Sequence, residues 1–150
     1  MWVIAEGHDG PFEEVGQPVA CGAVVRLSHV ETGKNLHSHL FTSPLSSQQE
    51  VSCFGERGRG DSGDNWEVVC MAKGATHWRR EQEVRLKHKD TGKLLQAQSQ
   101  HAFNQRNCPN CPINGQYEVT CGASGAVTTV WKAVQGVFFK PKQDEVNDEL

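Results

Sequence analysis

The stretch that decides the fold reads Val-Arg-Leu-Ser-His at residues 25–29, and it recurs as Val-Arg-Leu-Lys-His at residues 84–88. Each copy is followed by a turn sequence, Thr-Gly-Lys at residues 32–34 and again at residues 91–93. A sequence that repeats at a fixed interval indicates repeated structural units. The chain is therefore predicted to contain two copies of one unit.

Further matches extend both copies. Glu-Val-Ser-Cys at residues 50–53 recurs as Glu-Val-Thr-Cys at residues 118–121, and Trp66 near the end of one copy recurs as Trp131. The second copy also carries a polar segment from Gln98 to Gln116 that is longer than its Ser-rich counterpart. Insertions between repeats usually lie in loops, so we expect a loop there.

Within each copy, apolar residues alternate or form runs of three or four between turn-forming residues, which is typical of short strands. Four strands are predicted per copy, and those of the first copy are Val24–His29, Asn35–Leu40, Glu50–Phe54 and Trp66–Cys70. No stretch before the acidic C-terminus keeps the 3.6-residue apolar period of a helix. The predicted class is all-β.

Trp2-Val3-Ile4 resembles the end of a still earlier copy. One closing strand and two full units predict about nine of the twelve strands of a β-trefoil, an N-terminally incomplete barrel with three-fold repetition. The predicted organisation is a closing strand plus linker (1–20), one repeat (21–73), a second repeat (80–140) and an acidic tail (141–150).

Composition excludes two classes of partner. The formal charge is −3, with 15 basic and 18 acidic residues, so no nucleic acid is expected to bind. Apolar runs are short, and nothing approaches the roughly 18 residues that a membrane span requires. No membrane association is therefore expected.

The C-terminus indicates a cellular compartment. The last four residues are Asn147, Asp148, Glu149 and Leu150, and they are similar to the tetrapeptide that retrieves proteins to the endoplasmic reticulum. An oxidising lumen would permit disulfides. The N-terminus shows no secretory signal peptide, so the lumenal location is an expectation for a full-length form.

The repeats resemble the MIR-domain family, above all its small lumenal members of the stromal cell-derived factor 2 type. The resemblance rests on residues 26–39, 41–45, 49–52 and 54–55, on Asp64 with Trp66, and on residues 131–138. It implies a β-trefoil without enzymatic activity or cofactor. Relative to that family we expect a first repeat to be missing, which would leave apolar side chains exposed and make the chain oligomeric or poorly soluble.

The cysteines suggest one long-range disulfide. Cys21 precedes the first strand of its repeat and Cys70 ends the last; a trefoil brings these ends together, so a Cys21–Cys70 disulfide is predicted. Cys53 and Cys121 occupy equivalent strand positions and are predicted to be buried apolar residues. Cys108 and Cys111 have the spacing of a thiol oxidoreductase, although a loop staple, free thiols and a metal site remain open for them.

The candidate binding residues are His37, His39, Gln48 and Gln49. The two histidines are two residues apart, so on a strand they share one face, and the positions of all four are similar to those of the family. In the second repeat Gln96 and Gln98 take the places of the histidines. A hydrogen-bonding role is therefore favoured over a metal site for the histidines, and no catalytic residue is predicted.

The sequence leaves three functions open. The family resemblance implies a non-enzymatic component of a lumenal chaperone complex that binds a J-domain co-chaperone, BiP and unfolded client proteins. The second hypothesis is a carbohydrate-recognition module for O-mannosylated proteins. The third is a thiol-disulfide oxidoreductase that uses Cys108 and Cys111.

Overall fold

A computed structural model describes residues 1–10, 16–57, 59–123 and 125–136. The predicted retrieval tail at residues 147–150 lies outside them, as does the end of the predicted second repeat. No helix among the described residues has the length and hydropathy needed to cross a membrane.

The described chain is all-β, which confirms the predicted class, and it contains two 3₁₀ turns, Ser62–Asp64 and Val127–Thr129. The strands are β1 (Trp2–Glu6), β2 (Val24–His29), β3 (Lys34–Thr42), β4 (Gln49–Phe54), β5 (Trp66–Cys70), β6 (Glu83–His88), β7 (Leu94–Ala102), β8 (Tyr117–Gly122) and β9 (Trp131–Lys132).

Seven strands form a closed ring in the order β2, β3, β4, β8, β7, β6 and β5, and β5 pairs back with β2. β1 adds to the outside of β2, and β9 adds to β6. The pairings are antiparallel, and short turns such as Thr32-Gly33 connect β2 to β3, β3 to β4 and β6 to β7. The complete trefoil stays a prediction.

The predicted extent of the inserted loop is wrong at its start, because β7 runs on to Ala102. After a register shift beyond Ala97, Ala102 pairs with Tyr117 of β8. This pairing holds the first residues of the polar segment in an extended conformation. The loop itself therefore begins after β7.

The core combines both repeats. Its buried apolar side chains are Val25, Trp66, Val68, Val84, Leu86, Leu95 and Cys121. Val25 and Val84 occupy equivalent positions of the repeated stretch, so the same sequence pattern places one valine of each repeat in the core. The molecule is thus one body in which the second repeat covers part of the first.

A disulfide joins Cys21 to Cys70, with 5.6 Å between their Cα atoms. This is the pairing predicted from the sequence, and it connects the beginning of the first repeat to its last strand. Because the loop they close is long, the crosslink restricts the unfolded chain strongly.

Candidate functional site

The site is built around a buried carboxylate in the first repeat. Asp64 ends the 3₁₀ turn before β5 and is fully buried. It accepts a hydrogen bond from Asn35 Nδ2 at 2.8 Å, and its other oxygen lies 2.9 Å from His37 Nδ1. Because a carboxylate can only accept, His37 Nδ1 carries the proton. These contacts satisfy both oxygens and fix the imidazole on β3.

Asp61 holds the same turn from the solvent side. Its carboxylate accepts a hydrogen bond from the Gly63 N–H at 2.9 Å and lies 3.6 Å from His37 Nδ1. Gly63 packs so closely on the His37 ring that a Cβ there would stand 2.4 Å from Cε1. Sequence analysis missed Asp61 and Asp64 because their partner, His37, is far away along the chain.

The groups of His37, Asp61 and Asp64 lie close enough together to be ligands of one metal ion, since their candidate ligand atoms are all within 4.8 Å of one another. However, His37 Nδ1 and Asp64 Oδ1 lie 2.9 Å apart and form a hydrogen bond with each other. The contacts therefore fit the hydrogen-bonding role favoured for His37 without requiring an ion.

A row of rings continues from His37 across the surface. Its ring centroid lies 5.1 Å from that of His39 and 4.6 Å from that of Phe54. His39 in turn stands edge-on to Phe41, with 4.3 Å between centroids. Phe41 is 65% exposed and Phe54 is 45% exposed. The buried Asp64 network thus anchors a row of rings in the order Phe41, His39, His37 and Phe54. We term it the exposed aromatic row because the phenylalanines at its two ends are exposed, although His37 within it is buried.

Gln48 and Gln49 lie elsewhere. Gln49 is buried and donates through Nε2 to Ser38 Oγ at 2.8 Å and to Thr91 Oγ1 at 3.0 Å. Gln48 accepts a hydrogen bond from Gln96 of the second repeat. The structure therefore brings the two predicted histidines together on one surface but places the two glutamines at the contact between repeats.

A cleft of about 280 Å³ separates the first repeat from the polar loop of the second. Glu50 and Pro44 line the first-repeat side, and Phe103, Gln116 and Tyr117 line the other. Aromatic faces combined with carboxylate and amide groups are suited to small polar ligands. Phe103 and Gln116 were not predicted as candidates, because they belong to the inserted segment.

Cys108 and Cys111 are joined by a disulfide within that loop. The Asn104 carbonyl accepts a hydrogen bond from the Cys108 N–H at 2.8 Å, and Cys111 N–H donates to the Cys108 carbonyl. The segment between β7 and β8 consists of turns and contains no helix. The helix N-terminus that lowers a thiol pKa in thioredoxin-like motifs is therefore missing here.

The remaining cysteines differ from each other. Cys121 is 1% exposed, and burial raises the pKa of its thiol to about 11. Cys53 is exposed, so the prediction that it is buried is wrong. The reason is strand pairing: Cys121 of β8 is paired on both sides, with Gln49 of β4 and Leu95 of β7, whereas Cys53 of β4 is paired on one side only, with Leu36 of β3, among the described strands.

Comparisons with known proteins agree on one family. The model of the MIR domain matches residues 1–129. The chain is 46% identical over 143 residues to stromal cell-derived factor 2-like protein 1 from Mus musculus, covering 95% of the chain and 60% of the relative. It is 46% identical over 137 residues to stromal cell-derived factor 2 from Homo sapiens, covering 91% and 60%. The chain thus spans about 60% of the length of these relatives.

Solved structures are similar as well. The crystal structure of the SDF2-like protein from Arabidopsis thaliana has a TM-score of 0.82 and 34% identity, with 95% of this chain and 74% of that chain covered. The protein O-mannosyltransferase Pmt1–Pmt2 complex of S. cerevisiae, bound to the sugar donor, has a TM-score of 0.70 and 27% identity. That match covers 95% of this chain and 22% of the other.

Proposed function

The chain belongs to the MIR-domain family, and from this premise we propose that it is a non-enzymatic component of a chaperone complex in the lumen of the endoplasmic reticulum. In that complex it binds a J-domain co-chaperone and, through it, BiP, and it helps to keep unfolded client proteins from aggregating. The similarity to stromal cell-derived factor 2 proteins supports this assignment.

The exposed aromatic row is the observation that carries the proposal. Phe41 and Phe54 lie at opposite ends of this row and are joined through the rings of His39 and His37. Exposed apolar side chains that belong to one continuous surface mark interaction sites. His37 and Asp64 are buried and hydrogen-bonded to each other, so they position this surface rather than act on a substrate.

Two further features support the compartment. The Cys21–Cys70 disulfide is suited to an oxidising lumen, where such crosslinks persist. The sequence ends with Asn-Asp-Glu-Leu, which resembles a retrieval signal.

An affinity experiment from a lumenal extract tests the proposal. Immobilised chain is expected to recover a J-domain protein together with BiP, and a variant that combines Phe41→Ser and Phe54→Ser is expected to recover much less of both. A matched variant, Val127→Ser, removes an exposed apolar side chain outside the row and should behave like the unchanged protein. Recovery of neither partner by the unchanged chain would overturn the proposal.

The cleft favours a second candidate, recognition of O-mannosylated proteins. Phe103 and Tyr117 provide ring faces, and Glu50 and Gln116 provide hydrogen-bonding groups around a space that can admit a sugar residue. Mannose-bearing peptides on a glycan array should then bind, and Tyr117→Ala should weaken the signal. The absence of any signal would remove this candidate.

The thiol-disulfide hypothesis has the Cys108–Cys111 disulfide in its favour. An insulin-reduction assay compares the unchanged chain with one that carries Cys108→Ser and Cys111→Ser. Equal turnover by the two proteins would dispose of this hypothesis.

A further inference from the structure

The polar cluster around Asp64 is not required by the backbone that carries it. The second repeat has the same 3₁₀ turn before its closing tryptophan, and the equivalent positions there are uncharged. In the first repeat the cluster consists of Asn35, His37, Asp61 and Asp64, and the second repeat has Leu94, Gln96, Ala126 and Thr129 in their places. Because the second repeat forms the turn without these polar groups, they are available for a role of their own.

Three of these groups converge on one point. His37 Nδ1 lies 2.9 Å from Asp64 Oδ1 and 3.6 Å from Asp61 Oδ1, and a ligand atom of each residue lies within 4.8 Å of the other two. A zinc ion bound at about 2.0–2.2 Å holds the ligand atoms of a tetrahedral site roughly 3.0–3.5 Å apart. The two shorter separations bracket this value. A small rotation of the exposed Asp61 side chain therefore brings all three ligands onto one ion.

A buried oxygen without a partner adjoins the same point. Asn35 is 1% exposed, and its Nδ2 donates to Asp64 Oδ2 at 2.8 Å, so its amide lies against the carboxylate. Oδ1 of that amide is buried and has no hydrogen-bond partner in the part of the chain that the structure describes. Leaving a buried acceptor unsatisfied costs free energy. A water molecule bound to an ion beside Asp64 would supply the missing donor.

Contacts with the second repeat fix the turn that carries both carboxylates. Ser62 Oγ donates to Asp90 Oδ2 at 2.7 Å, and His88 Nε2 lies 3.0 Å from the Gly63 carbonyl. The shape of the cluster therefore follows from contacts between the two repeats. It does not depend on an open strand edge.

We propose that His37, Asp61 and Asp64 bind one zinc ion, with a water molecule as the fourth ligand. Zinc accepts imidazole and carboxylate ligands in four-coordinate sites, whereas calcium and magnesium prefer larger sets of oxygen ligands. The hydrogen bond between His37 and Asp64 belongs to the ion-free protein. In the zinc-bound protein His37 Nδ1 coordinates the ion, and the neutral ring carries its proton on Nε2.

The ion acts as a crosslink. His37 is 5% exposed and Asp64 is fully buried, so zinc joins β3 to the turn before β5 instead of acting on a substrate. The crosslink holds the imidazole in the middle of the exposed aromatic row.

Isothermal titration calorimetry of the 150-residue chain with zinc chloride tests the site, after removal of metals by a chelator and with both disulfides intact. One equivalent should bind, and an excess of calcium chloride should not displace it. Asp61→Asn should weaken zinc binding at least about tenfold, because the variant loses a charged ligand. Asparagine caps a turn as well as aspartate does, so this variant should fold normally.

Asp90→Asn is the matched control. It neutralises a carboxylate that contacts the same turn through Ser62 but is not a ligand, so the zinc affinity should stay unchanged. Nitrogen-15 NMR of the imidazole rings identifies the ligand atom, since zinc should shift the signal of His37 Nδ1 and leave that of His101 in place.

Absence of binding, or displacement of zinc by calcium, would overturn the inference. Equal affinity of the unchanged chain and Asp61→Asn, equal weakening by Asp61→Asn and Asp90→Asn, or shifts confined to other histidines would overturn it as well. None of these results affects recovery of the J-domain protein and BiP, so the zinc site and the chaperone proposal can fail separately.

Discussion

In the first repeat the indole N–H of Trp66 donates to the Leu36 carbonyl at 2.9 Å, and in the second the indole N–H of Trp131 donates to the Leu95 carbonyl at 2.8 Å. Two histidines show the same repetition. His29 Nδ1 lies 3.1 Å from Thr32 Oγ1, and His88 Nδ1 lies 2.9 Å from Thr91 Oγ1. Bonds that close a turn or bind the main chain recur in both copies.

The side-chain clusters differ. Two residues before the closing tryptophan, the first repeat has Asp64 bound to His37, whereas the second has Thr129, whose hydroxyl accepts a hydrogen bond from Arg85 Nε at 3.1 Å. Gln96 stands in the place of His37. The repeated bonds to the main chain maintain one backbone shape, so the side chains around it are free to diverge. The surface function is therefore expected in the repeat that carries the charged cluster.

The largest effect is expected at the tryptophans. Trp66 is fully buried, whereas Trp131 is half-buried. Trp66→Ala should lower the free energy of unfolding by about 5 kcal/mol and Trp131→Ala by about 3 kcal/mol. Urea unfolding followed by circular dichroism measures both values. Equal losses would show that Trp66 and Trp131 contribute equally to the stability despite their different burial.

The disulfides give the next contrast. Replacing Cys21 and Cys70 by Ser should cost about 4 kcal/mol, because the crosslink closes a long loop, and replacing Cys108 and Cys111 by Ser about 2 kcal/mol or less. Thermal unfolding of both double variants without reductant gives the comparison. A larger loss from the Cys108–Cys111 pair would mean that the inserted loop stabilises the core.

A smaller effect is expected two residues before each closing tryptophan. Asp64→Asn keeps the size of the side chain but places an amide donor against either His37 or Asn35, so we expect a loss of about 3 kcal/mol. Thr129→Val in the second repeat removes a neutral hydroxyl and should cost about 1 kcal/mol. Chemical denaturation compares them. Similar losses would mean that the Asp64 cluster contributes no more to the stability than the Thr129 hydroxyl does.

The smallest effect concerns pH. Burial lowers the pKa of His88 from its ordinary 6.5, more than the Gly63 carbonyl and nearby carboxylates raise it. The unfolded chain therefore takes up this proton more readily, so the stability is fully present above pH 6.5 and declines as the pH falls below that value. We expect a loss of up to about 1 kcal/mol between pH 7.5 and pH 5.5.

Denaturation curves at several pH values measure this loss, and His88→Gln should reduce the slope. Burial alone would raise the pKa of Glu118, but hydrogen bonds from Ser46 and Leu45 outweigh it and lower the pKa. The lowered pKa of Glu118 changes the stability only below about pH 4.5, the ordinary pKa of a glutamate, and therefore outside this range. An unchanged slope in the variant would assign the pH dependence to other groups.

Much of the fold could be predicted from local pattern. The repeat of Val-Arg-Leu at residues 25–27 and 84–86 gave strands at the observed places, since alternation with a period of two is visible within six residues. The confirmed MIR-domain resemblance followed from the same stretches. Cys21 and Cys70 were paired because they lie at the ends of one repeat.

Only the tertiary structure decided which side chains meet around those strands. His37 and Asp64 are separated by 27 residues, and Leu45 and Glu118 by 73. No periodicity relates such distant positions, because their contact depends on how the ring closes and on the exact course of the turns. The sequence therefore determined the repeated backbone, and ring closure determined that Glu118 of the second repeat meets the turn of the first.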